Sequence, residues 1–256
     1  MDEPLIVKIG KNRFLEDKYL YDEKIKQKKK LVRLAKEKEP DELLNDIENT
    51  PHAYVLACLM DRQITAERAW VIPYRVYQEL KTTDIHEWAL KSESWYVDFF
   101  KKKQLHRYNN NSAIIFHLAI HDIITKYDGD AAQIWSGVPS SASVVYRFLE
   151  FHGCGIKIAT MAANILTRQF MVPFSDCYSI DISPDVHIRR VMKRMGYVNE
   201  DANNEMIIYK ARELNPEFPG VIDFPCWEIG KEYCRPTNPQ CIECIVNSEC
   251  KSAFLL

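Results

Sequence analysis

The apolar residues of this 256-residue chain recur mostly at three- and four-residue spacing, and glycine is scarce. That spacing is the period of an α-helix, so the pattern predicts a fold that is nearly all helical. The sequence Asp128-Gly129-Asp130 predicts the end of one helix followed directly by the N-cap of the next. The predicted helices span residues 52–61, 65–81, 92–102, 110–127, 130–136, 184–195, 201–214 and 219–231.

Two more helices are predicted on either side of a turn that contains glycine. The first opens at Pro139-Ser140-Ser141, and the second has an apolar face that starts at Ile158. The turn between them contains Gly153 and Gly155, one residue apart, which permits a tight helix–hairpin–helix. Backbone N–H groups at the start of the second helix then form an anion site that suits a DNA phosphate, although such a turn also occurs where two helices simply pack together.

The N-terminal part of the chain is highly charged. Residues 16–39 include Lys28-Lys29-Lys30 and are predicted to form a solvated helix face, with a DNA-contacting arm as the alternative. Pro40 followed by Asp41 predicts a fresh helix start and a boundary. Because the formal net charge is −2, any DNA-binding surface has to be built locally by the fold.

The first residues of the chain lack the apolar core of a secretory signal. Apolar runs such as 54–60 are too short to span a bilayer, so no membrane partner is expected. Eight cysteines in such a chain predict a reducing compartment, in which clustered thiols usually bind metal.

The last thirty residues contain Cys234, Cys241, Cys244 and Cys250 in the spacing Cys-x6-Cys-x2-Cys-x5-Cys. Four thiolates this close together can converge on one metal centre, and such soft ligands select iron–sulfur clusters or zinc. Zinc sites usually pair their ligands as two short knuckles, and here only Cys241 and Cys244 form such a pair. Disulfides conflict with a reducing compartment. The remaining cysteines are interpreted as buried or incidental thiols: Cys58, Cys154, Cys177 and Cys226.

Two residues at predicted helix starts have chemistry that suits catalysis. Lys157 falls in the first turn of the helix after the glycines, where its charge opposes the helix dipole and an amine nucleophile is favoured. Asp185 falls at the start of another predicted helix, where a carboxylate is favourable for the dipole. Taken singly, each residue is also explained as an ordinary exposed or capping side chain.

Three motifs follow one another along the chain. They are Gly153-Cys154-Gly155-Ile156-Lys157, then Asp185-Val186-His187-Ile188-Arg189-Arg190-Val191, then the four-cysteine loop. In this combination the chain resembles the endonuclease III family of helix–hairpin–helix DNA glycosylases over about residues 50–251. The resemblance implies an all-α, two-lobed fold whose C-terminal loop holds a 4Fe–4S cluster as cofactor.

The resemblance also implies limits for the two lobes. One helical domain would span 44–170 and end in the hairpin, while a second lobe would combine 1–43 with 171–256 and hold the cluster loop at 226–251. The protein is expected to be a monomer in the cytoplasm, associated with the nucleoid, or in the nucleus or an organelle of a eukaryote.

The function that the resemblance implies is base excision repair of double-stranded DNA. Lys157 would attack C1′ of a damaged or modified nucleotide flipped out of the duplex, and Asp185 would help to deprotonate the lysine and stabilise positive charge on the sugar. The DNA strand would then be cut by β-elimination at the site from which the base was removed. An enzyme that does both is a bifunctional glycosylase and AP lyase. The alternatives are a monofunctional glycosylase, or a non-catalytic iron–sulfur protein that binds DNA or senses redox state.

The resemblance implies DNA contacts by local similarity. Gln63 would fill the hole left by the flipped nucleotide, and Leu105 would wedge between base steps. Gly153, Gly155 and Arg189 would contact the DNA backbone.

One departure from the family concerns the catalytic acid. The gap between Lys157 and Asp185 is longer than in the family, and it contains Asp176 and Asp181. The choice of Asp185 therefore depends on the residues that follow it.

Overall fold

The computed structural model describes residues 3–24 and 31–254, and the lysine triplet Lys28-Lys29-Lys30 lies outside these ranges. Within them the regular secondary structure is entirely helical, which confirms the predicted all-α fold. Short 3₁₀ turns occur at 131–134, 219–222, 247–249 and 251–254. The α-helices are, in chain order, α1 (Leu5–Lys24), α2 (Lys38–Asn45), α3 (Pro51–Met60), α4 (Ala66–Leu80), α5 (Ile85–Ala89), α6 (Glu93–Lys103), α7 (Asn109–Tyr127), α8 (Ser141–Leu149), α9 (Ile156–Arg168), α10 (Val186–Arg194), α11 (Asn204–Leu214) and α12 (Asp223–Glu232).

The charged N-terminal stretch differs from its prediction. α1 extends to Lys24, but residues 31–37 are not helical, so the helix predicted over 16–39 is wrong in its described second half. The reason is local, because the Asp41 carboxylate accepts hydrogen bonds from the N–H groups of Leu34 (2.9 Å) and Ala35 (2.7 Å). These bonds hold a turn in front of α2, and they compete with helix formation.

The chain divides into two compact units. The first, here called the N/C unit, comprises Met1–Lys28, Ser140–Val145 and Ala163–Leu256, and the second, here called the middle unit, comprises Lys29–Pro139 and Tyr146–Ala162. The domain limits expected from the sequence stay a prediction. None of the helices in the two described stretches combines the length and apolar character needed to cross a bilayer.

The middle unit is built around α3, whose ten residues are all buried. A helix buried on every side forms the centre of a core. The Phe116 ring of α7 contacts rings of α5 and α6, with centroid distances of 6.2 Å to Trp88, 5.6 Å to Tyr96 and 5.6 Å to Phe100. Such aromatic pairs contribute about 0.5–1.5 kcal/mol each beyond the burial of their area.

The N/C unit positions α10. α1 and α12 both contact the 3₁₀ turn at 219–222, and α12 also packs against α10. α10 and α12 approach closely at Gly230, where an added Cβ would lie 2.6 Å from the Cβ of His187. Only glycine therefore permits this separation of the two helices.

Candidate functional site

The turn between α8 and α9 is a tight hairpin. Gly153 adopts a φ of +78°, which favours glycine, and a Cβ on it would lie 2.7 Å from a guanidinium nitrogen of Arg62, which would have to move. The N–H of Cys154 donates to the carbonyl of Phe151 (3.0 Å) and closes the turn. At Gly155 a Cβ would meet no atom of the chain within 4 Å. Packing does not require glycine at that position, whose bare, exposed backbone lets another molecule approach closely.

α9 begins directly after this hairpin and carries Lys157 as its second residue, with an exposed side chain. The Gly155 carbonyl accepts hydrogen bonds from the N–H groups of Ile158 (3.0 Å) and Ala159 (3.1 Å). The first N–H groups of a helix have no acceptor within the helix itself and attract anions. The start of α9 therefore presents an amine beside backbone N–H groups of the kind that attract anions.

Asp185 is the N-cap residue of α10, as its place in the sequence predicts. Its Oδ1 accepts hydrogen bonds from the N–H groups of His187 and Ile188, both at 2.8 Å. The helix dipole and these two donors stabilise the carboxylate, and the residue is partly exposed. Asp185 is thus held in one orientation at the end of the helix.

Two other acids precede Asp185, and both make structural contacts. Asp181 is 5% exposed and forms a bidentate pair with Arg212, with 2.7 Å between Oδ1 and Nε and 2.7 Å between Oδ2 and Nη2. Asp176 accepts a hydrogen bond from the hydroxyl of Ser141. Because both oxygens of the buried Asp181 are already bonded to a guanidinium, Asp185 is the better candidate for the catalytic acid.

α10 connects Asp185 to the cysteine loop. Arg190 donates to the carbonyl of Cys234 (2.5 Å). Arg194, one turn later, donates to the carbonyl of Arg235 (2.7 Å) and lies 3.6 Å from the Cys234 sulfur. The nine-residue helix is about 13 Å long at about 1.5 Å per residue. The candidate acid therefore caps the start of this short helix, and Cys234 is hydrogen-bonded to side chains at its middle and its end.

The four cysteines of the loop line a single recess with an empty volume of about 400 Å³, part of it open to solvent. None of them forms a disulfide. Burial, and after it the charges of the three other cysteines, raises the pKa of the Cys244 thiol. Four thiolates in one recess would repel one another, so their deprotonated form requires a cation among them. Apolar side chains line the same recess: Val191, Met195, Ile229 and Val246.

These residues fit a 4Fe–4S cluster by donor type and surroundings. Four thiols with apolar walls suit cysteinyl iron, and an N–H directed at sulfur, as that of Arg194 is at Cys234, tunes such centres. Over residues 3–24 and 31–254, no three Cys, His, Asp or Glu side chains already form a group that could hold a metal ion. The fit consequently depends on the donor set and on the shared recess.

The two DNA-binding candidates near α4 and α6 differ in exposure. Gln63 is exposed at a φ of +54°, and its side-chain oxygen accepts a hydrogen bond from the Tyr108 hydroxyl (3.0 Å). Leu105 is only 8% exposed, whereas Tyr108 is 47% exposed and carries the Arg107 guanidinium 5.4 Å above its ring. A wedge has to project from the surface, so Tyr108, which the sequence analysis does not single out, fits that role better than Leu105. The available signal was an aromatic residue directly beside an arginine.

The predicted site residues fall into two sets. Asp185 and the exposed Arg189 belong to the N/C unit, whereas Gly153, Gly155 and Lys157 belong to the middle unit. The structure brings residues together within each set, and the meeting of Lys157 with Asp185 stays a prediction.

Comparison with known sequences gives a limited match. No family model matches the chain. Endonuclease III of Thermotoga maritima is 29% identical over 70 residues, which cover 27% of this chain and 33% of that protein. The chain thus matches about a third of the length of this curated relative.

Solved structures match over much more of the chain. A trapped covalent endonuclease III–DNA intermediate has a TM-score of 0.58 and 18% identity, over 84% of this chain and 94% of that one. A non-covalent endonuclease III–DNA complex has a TM-score of 0.59 and 17% identity, over 88% and 98%. A thermostable thymine-DNA glycosylase has a TM-score of 0.57 and 16% identity, over 84% and 93%. The chain therefore has the endonuclease III fold, and the resemblance to the endonuclease III family of helix–hairpin–helix DNA glycosylases that its three motifs indicate is confirmed.

Proposed function

We propose that this protein is a DNA glycosylase of base excision repair with AP lyase activity, acting on double-stranded DNA at a damaged, modified or abasic site. The observation that carries the proposal is the exposed Lys157 in the first turn of α9, directly behind the Gly153–Gly155 hairpin. An amine beside a phosphate-binding helix start is what a Schiff-base nucleophile acting on DNA requires. The fold supports the proposal, because two similar structures are complexes of endonuclease III with DNA.

The chemistry begins with an unprotonated Lys157. Its Nζ attacks C1′ of the flipped nucleotide, and the N-glycosidic bond breaks with its electron pair leaving on the base, which takes up a proton. Opening of the sugar ring gives an imine between Nζ and C1′. Loss of a C2′ proton then expels the 3′ phosphate by β-elimination, and water hydrolyses the imine. The Asp185 carboxylate stabilises the positive charge that develops on the sugar as the base leaves, and it then accepts the proton that Nζ loses once it has bonded to C1′.

DNA contacts are assigned to residues on the exposed surface. The N–H groups around Gly153 and Gly155 would bind a phosphate, and Arg189 would bind another. Gln63 and Tyr108, which are hydrogen-bonded to each other, would occupy the space left by the flipped nucleotide. Flipping costs a few kcal/mol, and these contacts would offset that cost.

Cys234, Cys241, Cys244 and Cys250 would hold a 4Fe–4S cluster. When bound, the cluster supplies four iron–thiolate bonds that cross-link the loop. Arg190 and Arg194 attach that loop to α10, so a fixed loop also fixes the helix that carries Asp185. We therefore assign the cluster a structural role.

The test is borohydride trapping during turnover of a panel of lesion-containing duplexes, with base release and nicking scored separately. The wild-type protein should form a covalent protein–DNA complex, and Lys157→Ala should not. Lys38→Ala is a suitable control, because that side chain is 77% exposed and lies 3.9 Å from Glu42. Base release without nicking or trapping would indicate a monofunctional glycosylase. Binding to abasic DNA with neither reaction would indicate a non-catalytic protein.

A further inference from the structure

α7 carries two histidines one turn apart, and neither takes part in the function proposed above. The Nε2 atoms of His117 and His121 lie 3.1 Å apart, and the ring planes are inclined by 74°. In a neutral imidazole one nitrogen is a donor and the other carries a lone pair. Two Nε2 atoms at this distance therefore need a proton or a metal cation between them.

The distance also matches two ligands on one metal ion. With zinc–nitrogen bonds of about 2.0–2.1 Å, two ligands are separated by about 3.3 Å at a tetrahedral angle and by about 2.9 Å at a right angle. The observed 3.1 Å lies between these values. Residues at i and i+4 are neighbours on one helix face, so α7 places both rings on the same side of the helix, where their Nε2 atoms can approach each other.

The surroundings of the pair favour a cation. The Glu93 carboxylate lies close enough to His117 to interact with it electrostatically. Among the described residues, the buried Nδ1 of His117 has no hydrogen-bond partner of ordinary geometry, so Nε2 is the nitrogen presented outward. Neutral imidazole is the ligating form, and a nearby carboxylate adds electrostatic attraction for a divalent ion.

We infer that His117 and His121 form a bidentate site for a divalent transition-metal ion such as Zn²⁺, with water completing the coordination. Imidazole is a ligand preferred by zinc, copper and nickel rather than by magnesium or calcium. Asp122 is paired with Lys126 (3.1 Å) and adds no further protein ligand. With two protein ligands the site is open, and its metal exchanges with solution, in contrast to the four-thiol recess.

Metal binding at this place would brace α7. The two ligands span one turn of a helix that packs against α3, α5 and α6 in the middle unit. An ion that binds the folded state but not the unfolded chain raises the melting temperature. The full chain should therefore melt at a higher temperature when Zn²⁺ is added, and this shift should require both histidines.

The test is calorimetric titration of zinc chloride into the full chain at pH 7.5, with His117→Gln, His121→Gln and a control, His86→Gln, whose ring is exposed on α5. The wild-type and control proteins should bind zinc alike at this site. Each of the other two variants should bind it at least about tenfold more weakly, since even losing an outer partner of a ligand commonly costs about 10- to 100-fold. Affinity in the wild type should also fall at pH 5.5, because protons compete with zinc for the ligand nitrogens.

Ring-proton NMR of the wild-type protein separates this site from the cysteine loop. Substoichiometric zinc should shift the ring signals of His117 and His121 while the visible absorption of the cluster stays unchanged. The inference is overturned if zinc binds His117→Gln as tightly as the wild type, if no histidine ring signal moves, or if alkylation of the cysteines alone removes the binding. None of these outcomes depends on glycosylase activity, so failure of this inference is distinguishable from failure of the proposed function.

Discussion

Two asparagine substitutions in the segment before α10 should have opposite effects. Asp181→Asn replaces one of the two oxygens that hold Arg212, each at 2.7 Å, by an NH₂ group that cannot accept a hydrogen bond. Asp185→Asn keeps an oxygen for the N–H groups of His187 and Ile188, and asparagine caps helices about as well as aspartate. The first change should reduce stability, and the second should reduce catalysis.

The magnitudes follow from burial. The Asp181 side chain is 7% exposed and that of Arg212 is 41% exposed. Breaking a fully buried ion pair costs about 3–5 kcal/mol, whereas an exposed pair is worth about 0–1 kcal/mol. Arg212 is half exposed and keeps one acceptor, so Asp181→Asn should lower the free energy of unfolding by about 2 kcal/mol. That corresponds to a fall of about 4–8 °C in melting temperature. Asp185→Asn should leave stability within about 0.5 kcal/mol and slow turnover by about 100- to 1000-fold.

Both properties can be measured on the same preparations. Urea unfolding gives the stability, and single-turnover nicking of an abasic duplex below the melting transition gives the rate. Binding to an abasic analogue shows that each variant still recognises DNA, and Asp176→Asn is a further control that should remain active. If Asp181→Asn abolished turnover at wild-type stability while Asp185→Asn turned over normally, the assignment of the catalytic acid would be refuted.

The remaining predictions concern the cluster, the wedge and pH. Cys241→Ser should lose iron and soluble yield together, whereas a colourless, active wild-type protein with stoichiometric zinc would contradict an iron–sulfur cluster. Leu105→Ala should lower the free energy of unfolding by about 2–5 kcal/mol, because the side chain is buried. Tyr108→Ala should change stability by less than about 0.5 kcal/mol but weaken binding to an abasic duplex, and the reverse pattern would return the wedge role to Leu105. Burial lowers the pKa of His52 to about 4. Below about pH 6.5 this histidine is therefore protonated in the unfolded chain but still neutral in the folded state. The free energy of unfolding should therefore fall by about 2 kcal/mol from pH 7 to pH 5, and a His52→Phe protein that lost stability just as steeply would speak against this cause.

Helix ends that are set by local chemistry could be predicted from the sequence. Asp128 and Gly129 have φ values of +50° and +80°, as the predicted end of a helix requires. Asp130 accepts a hydrogen bond from the Ala132 N–H (2.9 Å), as the predicted N-cap requires. α5 could not be predicted, because five residues show no helical period. Its Trp88 stacks on Phe116, so α5 is stabilised by a contact that is distant in sequence.

The difference between Leu105 and Tyr108 could not be predicted for a similar reason. The N–H of Leu105 donates to the carbonyl of Phe100 (3.1 Å), and its own carbonyl accepts from Arg68 Nε (3.2 Å). These bonds turn the end of α6 inward, which buries Leu105 and leaves Tyr108 exposed. A hydrophobic residue among cations looks like a DNA wedge in sequence, but its exposure is decided by an arginine on another helix.

The residue spacing of the arginines in α10 is enough to predict that they lie on two different faces of the helix. Arg190 and Arg194 are four residues apart and so share one face of the helix. That face meets the cysteine loop, where Arg190 donates to the carbonyl of Cys234 and Arg194 donates to that of Pro236 (3.0 Å). Arg189 lies about 100° around the helix from Arg190 and is exposed. What looks in sequence like one basic patch therefore has two faces, one that holds the loop and one that presents Arg189 to solvent, one turn from the aspartate at the start of the helix.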